Sequence, residues 1–239
     1  MVKRVKKQAI ILNGVPYNTS AARGIYVAHR CGYNPIAVIS TFDQFDYVAG
    51  AAEFRDDGLT SSVNHDVLQK LRATTTVHRV DSGHHLLSML EKQPGSGENQ
   101  LFVYVSMCGD TSGEYLRFNK DNSHSLENIP AREFEQAMKK IAYGQRFVLG
   151  SMCSGGKFLE LTVAQYPATT AVASLGNGEA LAGSRFNYYF LVKCLEGSTI
   201  RDAFESAKLY VNGNNEAMDG RKRTPYFNAS EGAKPNLKL

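Results

Sequence analysis

Two stretches of this sequence, LFVYVSMCGDTSGEYLRF (Leu101–Phe118) and RFVLGSMCSGGKFLEL (Arg146–Leu161), share the tripeptide Ser-Met-Cys. In each stretch a short apolar run comes directly before that tripeptide, as in a strand buried on both faces. Glycine or Ser-Gly-Gly follows the cysteine, which is typical of a turn. The sequence therefore predicts two core strands that lead into Cys108 and Cys153.

Predicted strands and helices alternate along the rest of the chain. Apolar or β-branched runs predict strands at 8–13, 34–40, 74–80 and 169–176, with a last strand at 224–230. Helical spacing predicts helices at 18–32, 64–73, 81–92, 129–142, 154–166, 185–197 and 198–213, and a hairpin is predicted at 113–119. Such alternation favours a mostly parallel central sheet with helices on both faces. We therefore expect an α/β, three-layer sandwich formed by a single domain over residues 1–239.

Composition limits the classes of protein to consider. The chain carries 27 Lys and Arg against 23 Asp and Glu, and this net charge of +4 is too weak to indicate nucleic-acid binding by itself. The excess of basic residues lies mainly in MVKRVKK at the start and in DGRKRTPY, which comes before a polar C-terminal tail. Contact of these basic ends with RNA or another anionic surface is therefore a weak alternative. The sequence shows no signal-peptide pattern and no transmembrane segment. We expect a soluble intracellular protein, in the cytoplasm or in an organelle such as the mitochondrion.

The cysteines and glycines indicate no metal or cofactor. Cys31, Cys108, Cys153 and Cys194 form no Cys-x-x-Cys pair, so a zinc site is not expected. The chain lacks a phosphate-loop lysine pattern and a Gly-x-Ser-x-Gly elbow, and we expect no organic cofactor. Cys31 and Cys194 fall in predicted helices and are expected to be core residues.

Cys108 and Cys153 are expected to lie close together. Sites in open parallel sheets lie at the carboxyl ends of the strands, and both cysteines follow such ends. Cys153 also precedes a predicted helix, whose N-terminal amides favour a thiolate and can stabilise an oxyanion. Gly155 and Gly156 would allow a substrate to approach the backbone closely.

These motifs resemble those of the caspase-like cysteine peptidases, most closely the branch that contains legumain and the catalytic subunit of the GPI transamidase. RFVLGSMCSGG is similar to the strand that carries the nucleophile. LFVYVSMCGDTSGEYLRF is similar to the strand that carries the catalytic histidine, which is followed in that family by glycine and a hairpin. AIILNGVPYNTSAARGIYVAHRCGYNPIAVIS resembles the first strand, Tyr-Asn and helix of the branch, and TTAVASLGNGEA resembles its next strand and pocket loop. The resemblance runs from Gln8 to Ala207.

The resemblance implies a caspase-like sandwich and a role for several positions. Cys153 takes the position of the nucleophile, and Gly109 takes that of the glycine beside the oxyanion. Asn18 takes the position of a supporting asparagine, and Ser174 and Glu179 fall in the substrate pocket.

Two positions depart from the family pattern. Cys108 occupies the position of the catalytic histidine, and Thr19-Ser20 follows Tyr17-Asn18 where the branch usually has Arg-His. A thiol with a pKa of about 8.5 thus replaces an imidazole with a pKa of about 6.5. Loss of a positioned base slows the reaction of a Cys–His peptidase by about 10²–10⁴-fold. The chain's histidines are expected to be surface or core residues without a catalytic role: His29, His65, His78, His84, His85 and His124.

We therefore expect a degenerate peptidase domain that acts as a structural or interaction subunit, with protein partners in a larger assembly. One alternative is an active cysteine peptidase or transpeptidase that uses Cys153 as nucleophile with a non-standard base. Another alternative is a redox element in which Cys108 and Cys153 open and close a disulfide.

Overall fold

The computed structural model describes residues 5–14, 18–40, 76–119, 126–176, 185–215 and 224–239. These residues form ten strands and six helices. The strands are β1 Lys7–Asn13, β2 Asn34–Ser40, β3 Val77–Arg79, β4 Ser96–Ser106, β5 Cys108–Gly109, β6 Tyr115–Asn119, β7 Leu126–Pro130, β8 Tyr143–Ser151, β9 Thr169–Ala173 and β10 Tyr226–Ala229. The helices are α1 Asn18–Arg30, α2 Gly83–Glu91, α3 Ala131–Lys139, α4 Gly155–Thr162, α5 Arg185–Leu195 and α6 Ile200–Asn215. The helix predicted at 64–73 lies outside the described residues.

The centre of the fold is a seven-stranded sheet in the order β10-β9-β8-β4-β1-β2-β3. The strands from β9 to β3 are parallel to their neighbours, and the edge strand β10 is antiparallel to β9. The sequence prediction of a mostly parallel sheet is therefore confirmed. β4 and β8 lie next to each other near the middle of the sheet, where both of their faces are covered.

Each central strand divides its side chains between two apolar clusters, because successive side chains point to opposite faces. In β1, Ile11 packs with the helices α1, α5 and α6, whereas Ile10 and Leu12 pack with α2, α3 and α4. In β4, Phe102 faces the first set of helices and Val103 faces the second. Helices therefore cover both faces of the sheet, as the alternating sequence pattern predicts.

A stack of phenylalanines fills the α1/α5/α6 side. The rings of Phe102 and Phe147 stack with centroids 5.3 Å apart, and Phe147 stacks on Phe190 at 5.7 Å. All three side chains are buried. Burial of one such side chain contributes about 1.5–3 kcal/mol, so this stack is a main anchor between α5 and the middle of the sheet.

A second, smaller sheet lies after β4. It contains β5, β6 and β7 in that order, and all pairs are antiparallel. The predicted hairpin after Cys108 is confirmed, but the sequence did not predict β7. Pro130 ends β7 and caps α3, which begins at Ala131 rather than before the proline. No helix within the described ranges is long and apolar enough to span a bilayer.

Candidate functional site at the carboxyl edge of the sheet

The two Ser-Met-Cys segments lie side by side in matched register. Strands β4 and β8 are parallel neighbours, and Ser106 pairs directly with Ser151. Met107 and Met152 both belong to the cluster with α2, α3 and α4. Neither Cys108 nor Cys153 packs against that cluster. The predicted closeness of the two cysteines at the carboxyl edge of the sheet is confirmed.

Gly109 holds the two segments in contact beyond the last paired residues. A Cβ atom built on Gly109 would lie only 2.0 Å from the backbone oxygen of Cys153 and 3.3 Å from its nitrogen. Only a residue without a side chain fits against this backbone. In this structure Gly109 therefore fixes how closely the hairpin approaches the Cys153 turn.

The loop after Gly109 is also attached to the Cys153 turn. The hydroxyl of Ser154 donates a hydrogen bond of 3.0 Å to the backbone oxygen of Thr111. The carboxylate of Asp110 accepts hydrogen bonds from the backbone N–H groups of Ser112 at 3.2 Å and Tyr115 at 3.1 Å, and one from the Ser112 hydroxyl. Burial opposes ionisation of Asp110, but these hydrogen bonds outweigh it and lower the pKa of the carboxyl group. Asp110 thus shapes the turn that covers Ser154.

A tight turn presents Cys153. Ser154 has a left-handed backbone, with φ 47° and ψ 30°, and its side chain is fully buried. This conformation is uncommon for a residue other than glycine and costs about 1 kcal/mol or more. The turn directs the chain from β8 into α4 immediately after Cys153. Such strained positions often occur at functional sites, and the chain keeps this one in place with the hydrogen bond to Thr111.

The glycines that follow Ser154 are explained by packing. A Cβ atom on Gly155 would lie 3.1 Å from the Cβ of Ala173, and one on Gly156 would lie 2.7 Å from the Cβ of Tyr226. The N–H of Gly156 donates a hydrogen bond of 2.8 Å to the backbone oxygen of Leu175. Strands β9 and β10 occupy the space where a Cβ atom would lie, so packing accounts for both glycines, and close approach of a substrate to their backbone stays a prediction. The Gly156 amide is likewise already used.

Cys108 is the exposed member of the cysteine pair, and Cys153 is half-buried. Partial burial, and then the neighbouring Cys153, raise the pKa of the Cys108 thiol. The guanidinium of Arg117, which lies opposite Cys108 in the β5–β6 pair, opposes this shift without cancelling it. Cys108 is therefore a neutral thiol near pH 7.

A row of small polar residues crosses the sheet beside the cysteines. Asn13 is in register with Ser40 on one side and with Ser106 on the other, and Ser106 is in register with Ser151. Ser174 follows the end of β9 and extends the row. Register and alternation place all five on the α1/α5/α6 side, where they are buried. The row forms a polar layer above the phenylalanine stack.

Two members of this region have unused hydrogen-bonding capacity. The hydroxyl of Ser174 is buried and has no hydrogen-bond partner among the described residues, although its backbone N–H donates to the oxygen of Gly150 at 3.3 Å. Asn187, in the first turn of α5, is fully buried, and neither atom of its amide has a partner within the described ranges. Buried polar groups without partners are uncommon in native proteins and indicate strain or a place for an additional group.

The remaining predicted site residues are only partly placed by the structure. Asn18 is the first residue of α1, five positions after the end of β1, and only its backbone is described. Glu179 lies outside the described residues. Ser174 is at the predicted edge of the sheet. Sequence reasoning missed Asn13, Ser106 and Ser151 as a group, although each ends an apolar strand, because the row depends on register between strands.

The described histidines lie on α1, β3 and α2, and not on the strands that lead into Cys108 and Cys153. His29 is in the last turn of α1, which runs back toward the opposite edge of the sheet. His78 is in β3, four strands from β8, or about 19 Å at the usual strand spacing. His84 and His85 are in the first turn of α2, which α3 separates from α4, and the Nδ1 of His85 is 3.1 Å from the Asp81 carboxylate. His65 and His124 lie outside the described residues.

The geometry offers a paired thiol site rather than a metal centre. Within the described ranges, no three side chains of His, Cys, Asp or Glu converge to hold a metal ion. Comparison with models of protein families and with curated proteins gives no match for this chain. The site is therefore interpreted from its geometry and from the sequence motifs.

Proposed function

We propose that this chain is a caspase-like domain, closest to the legumain and GPI-transamidase branch, that has lost peptidase activity. In this proposal it serves as a structural or interaction subunit of a larger assembly. The arrangement of the two Ser-Met-Cys strands supports the fold part of the proposal. They are parallel neighbours, and the first continues through Cys108-Gly109 into an antiparallel hairpin, which is the order of features in the family's histidine strand.

The observation that carries the proposal is Cys108 at the position of the base. A Cys–His peptidase needs a group that takes the proton of the nucleophile and later gives it to the leaving amine. Because its pKa is raised, Cys108 is already protonated near pH 7 and cannot accept that proton. Among the described residues, the histidines lie on other parts of the fold. Among the described residues, the position of the nucleophile is therefore kept without a histidine at the position of its base.

The surface of α5 and α6 is consistent with an interaction role. The side chain of Leu209 is 74% exposed. Beside it in sequence, the ring of Tyr210 stacks on Tyr189 with centroids 3.9 Å apart, and the Nζ of Lys193 lies 5.4 Å from the Tyr189 ring. Aromatic residues are enriched in protein interfaces. We assign the partner-binding role to this surface, which we call the Leu209 surface. The alternative, the basic ends at 1–7 and 219–226, lies partly outside the described residues.

Proteolysis of an unmodified peptide mixture, read by mass spectrometry, tests the loss of activity. The full chain is compared with the Cys153→Ala variant under reducing conditions. We expect the two to give the same background, since no base activates Cys153. Cleavage that requires Cys153 in the wild-type chain would establish the alternative, an active peptidase or transpeptidase with a non-standard base.

Partner recovery tests the subunit role. A tagged copy of the chain is cross-linked to its neighbours in its own cells. Proteins recovered in amounts close to that of the tagged chain are then identified. The Leu209→Asp variant is compared with Leu161→Asp, which changes a leucine that is 36% exposed on α4, across the sheet. We expect the partner to be lost only in Leu209→Asp. Equal recovery with both variants would remove the Leu209 surface from the proposal.

A further inference from the structure

We propose that Cys108 and Cys153 form a dithiol–disulfide pair that exchanges with small disulfides such as glutathione disulfide. The carboxyl edge of the sheet is then a redox site. This inference depends on the geometry of the two strand ends and not on the proposed loss of peptidase activity. It holds equally if Cys153 proves to be a nucleophile.

The positions of the two strands suit a disulfide. Neighbouring strands lie about 4.8 Å apart, and Cα atoms joined by a disulfide are usually about 4.4–6.8 Å apart. Ser106 and Ser151 are a register pair, and each cysteine lies two residues further along its chain. The contact of Gly109 with the Cys153 backbone shows that the two chains have not separated at that point.

Neither cysteine side chain packs into the apolar cluster beside the two segments. The methionines at 107 and 152 are both buried against α2, α3 and α4, whereas Cys108 and Cys153 are not members of that cluster. The two thiols are also close enough to interact electrostatically, because Cys153 contributes to the raised pKa of Cys108.

Their unequal exposure sets the order of the reaction. Cys108 is exposed and meets the external disulfide first, whereas Cys153 is half-buried behind it. The Cys108 thiolate attacks glutathione disulfide, whose S–S bond breaks as a Cys108–glutathione bond forms and one glutathione leaves. The Cys153 thiolate then attacks the Cys108 sulfur and releases the second glutathione. The two cysteines lose two electrons, and their two protons pass to the two glutathione thiols.

Nearby charges modulate the first step. Arg117 on β6 favours the Cys108 thiolate, whereas burial and Cys153 oppose it. The other charged groups on the elements that form the turn are Asp110 and Glu114 on the hairpin and the ion pair of Lys157 and Glu160 on α4. Because the attacking species is the thiolate, the first step is expected to accelerate about tenfold per pH unit below the pKa of Cys108.

Cys31 and Cys194 provide an internal comparison. They line one cavity near the amino-terminal ends of the strands, opposite the carboxyl edge that carries Cys108 and Cys153. Burial raises the pKa of both thiols, and Cys194 is only 3% exposed. An external disulfide cannot reach Cys194 in the folded chain. We therefore expect this pair to remain reduced when the pair at the carboxyl edge is oxidised.

The test is incubation of the full folded chain with glutathione disulfide, followed by acid quench, intact mass measurement and mapping of non-reduced peptides. We expect a loss of two hydrogens and a peptide link between Cys108 and Cys153. A Cys31→Ala/Cys194→Ala variant should react at a rate within about twofold of the wild-type rate. Cys153→Ser should instead accumulate a stable glutathione adduct on Cys108.

Two results would overturn the inference. One is a glutathione adduct on Cys108 that persists in the wild-type chain without the internal link, because this would show that the Cys153 sulfur cannot reach it. The other is an internal link between Cys31 and Cys194 alone. Neither result bears on the peptide-cleavage assay, so failure of the redox inference and failure of the proposed function are distinguishable.

Discussion

Replacing Gly109 with alanine should separate the two cysteine segments at the point where they touch. The added Cβ would lie 2.0 Å from the backbone oxygen of Cys153, and contacts under 3.0 Å essentially never occur. The two atoms must therefore move apart by about 1 Å before the side chain fits. The neighbour is a backbone carbonyl in the tight turn that follows β8, so it cannot rotate away as a flexible side chain could.

The cost of this movement can be bounded from known overpacking. Extra methylene groups in a well-packed site cost about 1–3 kcal/mol, and a clash with backbone belongs at the upper end of that range. We expect Gly109→Ala to lower the free energy of unfolding by about 3 kcal/mol. It should also slow formation of the Cys108–Cys153 disulfide, because the Cys108 backbone moves with its neighbour.

Urea unfolding followed by far-UV circular dichroism measures the change, since the chain has no tryptophan to report by fluorescence. Gly97→Ala is the matched control, because Gly97 lies on the preceding strand, β4, and a Cβ there would meet no atom within 4 Å. The slope of the unfolding free energy against urea concentration should be the same for both variants. If Gly109→Ala is as stable as Gly97→Ala, the close approach of the hairpin to Cys153 is not a feature of the molecule.

Three further substitutions test the surroundings of the site by the same unfolding assay. Ser154→Gly should be more stable than Ser154→Ala by about 1 kcal/mol, because only glycine adopts the left-handed backbone without cost. Equal stabilities of the two variants would show that the backbone at Ser154 is not strained. Ser174→Ala should leave the free energy of unfolding unchanged or raise it. Ser230→Ala should lower it by about 1 kcal/mol, because the Ser230 hydroxyl accepts a hydrogen bond from the Thr169 N–H at 2.9 Å. A large loss of stability in Ser174→Ala would reveal a partner for the Ser174 hydroxyl. Burial raises the pKa of Cys31 from 9.0 to about 11. The protonated thiol therefore contributes stability that is fully present below pH 9. This contribution, of order 2 kcal/mol, is lost as the pH rises from 9 to 11. Cys31→Ala should therefore lose less stability than the wild-type chain over that interval, and identical pH profiles would contradict this assignment.

Much of the architecture could be predicted from local sequence. The apolar runs before Cys108 and Cys153 predicted two central strands, and the alternation of runs with helical segments predicted the parallel sheet. These predictions succeed because burial on both faces demands continuous apolar residues. Polar segments gave no such signal. β4 begins at Ser96, ahead of the apolar run that starts at Leu101, because pairing with Tyr143 extends the strand across a bulge.

The site was less predictable because its features depend on distant residues. Gly156 follows the cysteine and was interpreted as a substrate contact, but the side chain that requires a glycine there is Tyr226, which lies 70 positions later on β10. The polar row is similarly invisible to local analysis. Ser106 and Ser151 each look like an ordinary strand end, and only the register between their strands aligns them. The approach of the segments that carry Cys108 and Cys153 was predictable, since both cysteines follow the ends of parallel strands.

The rate at which iodoacetamide labels Cys153 at pH 6, in the folded chain and in the same chain unfolded by urea, tests the central claim most directly. Peptide mass spectrometry separates Cys153 from the other three cysteines. Since Cys108 supplies no base, we predict that folded Cys153 reacts no faster than unfolded Cys153, and more slowly to the extent that it is half-buried. A folded-state rate about 100-fold or more above the unfolded rate would contradict the account, because it would show a nucleophile activated by the fold.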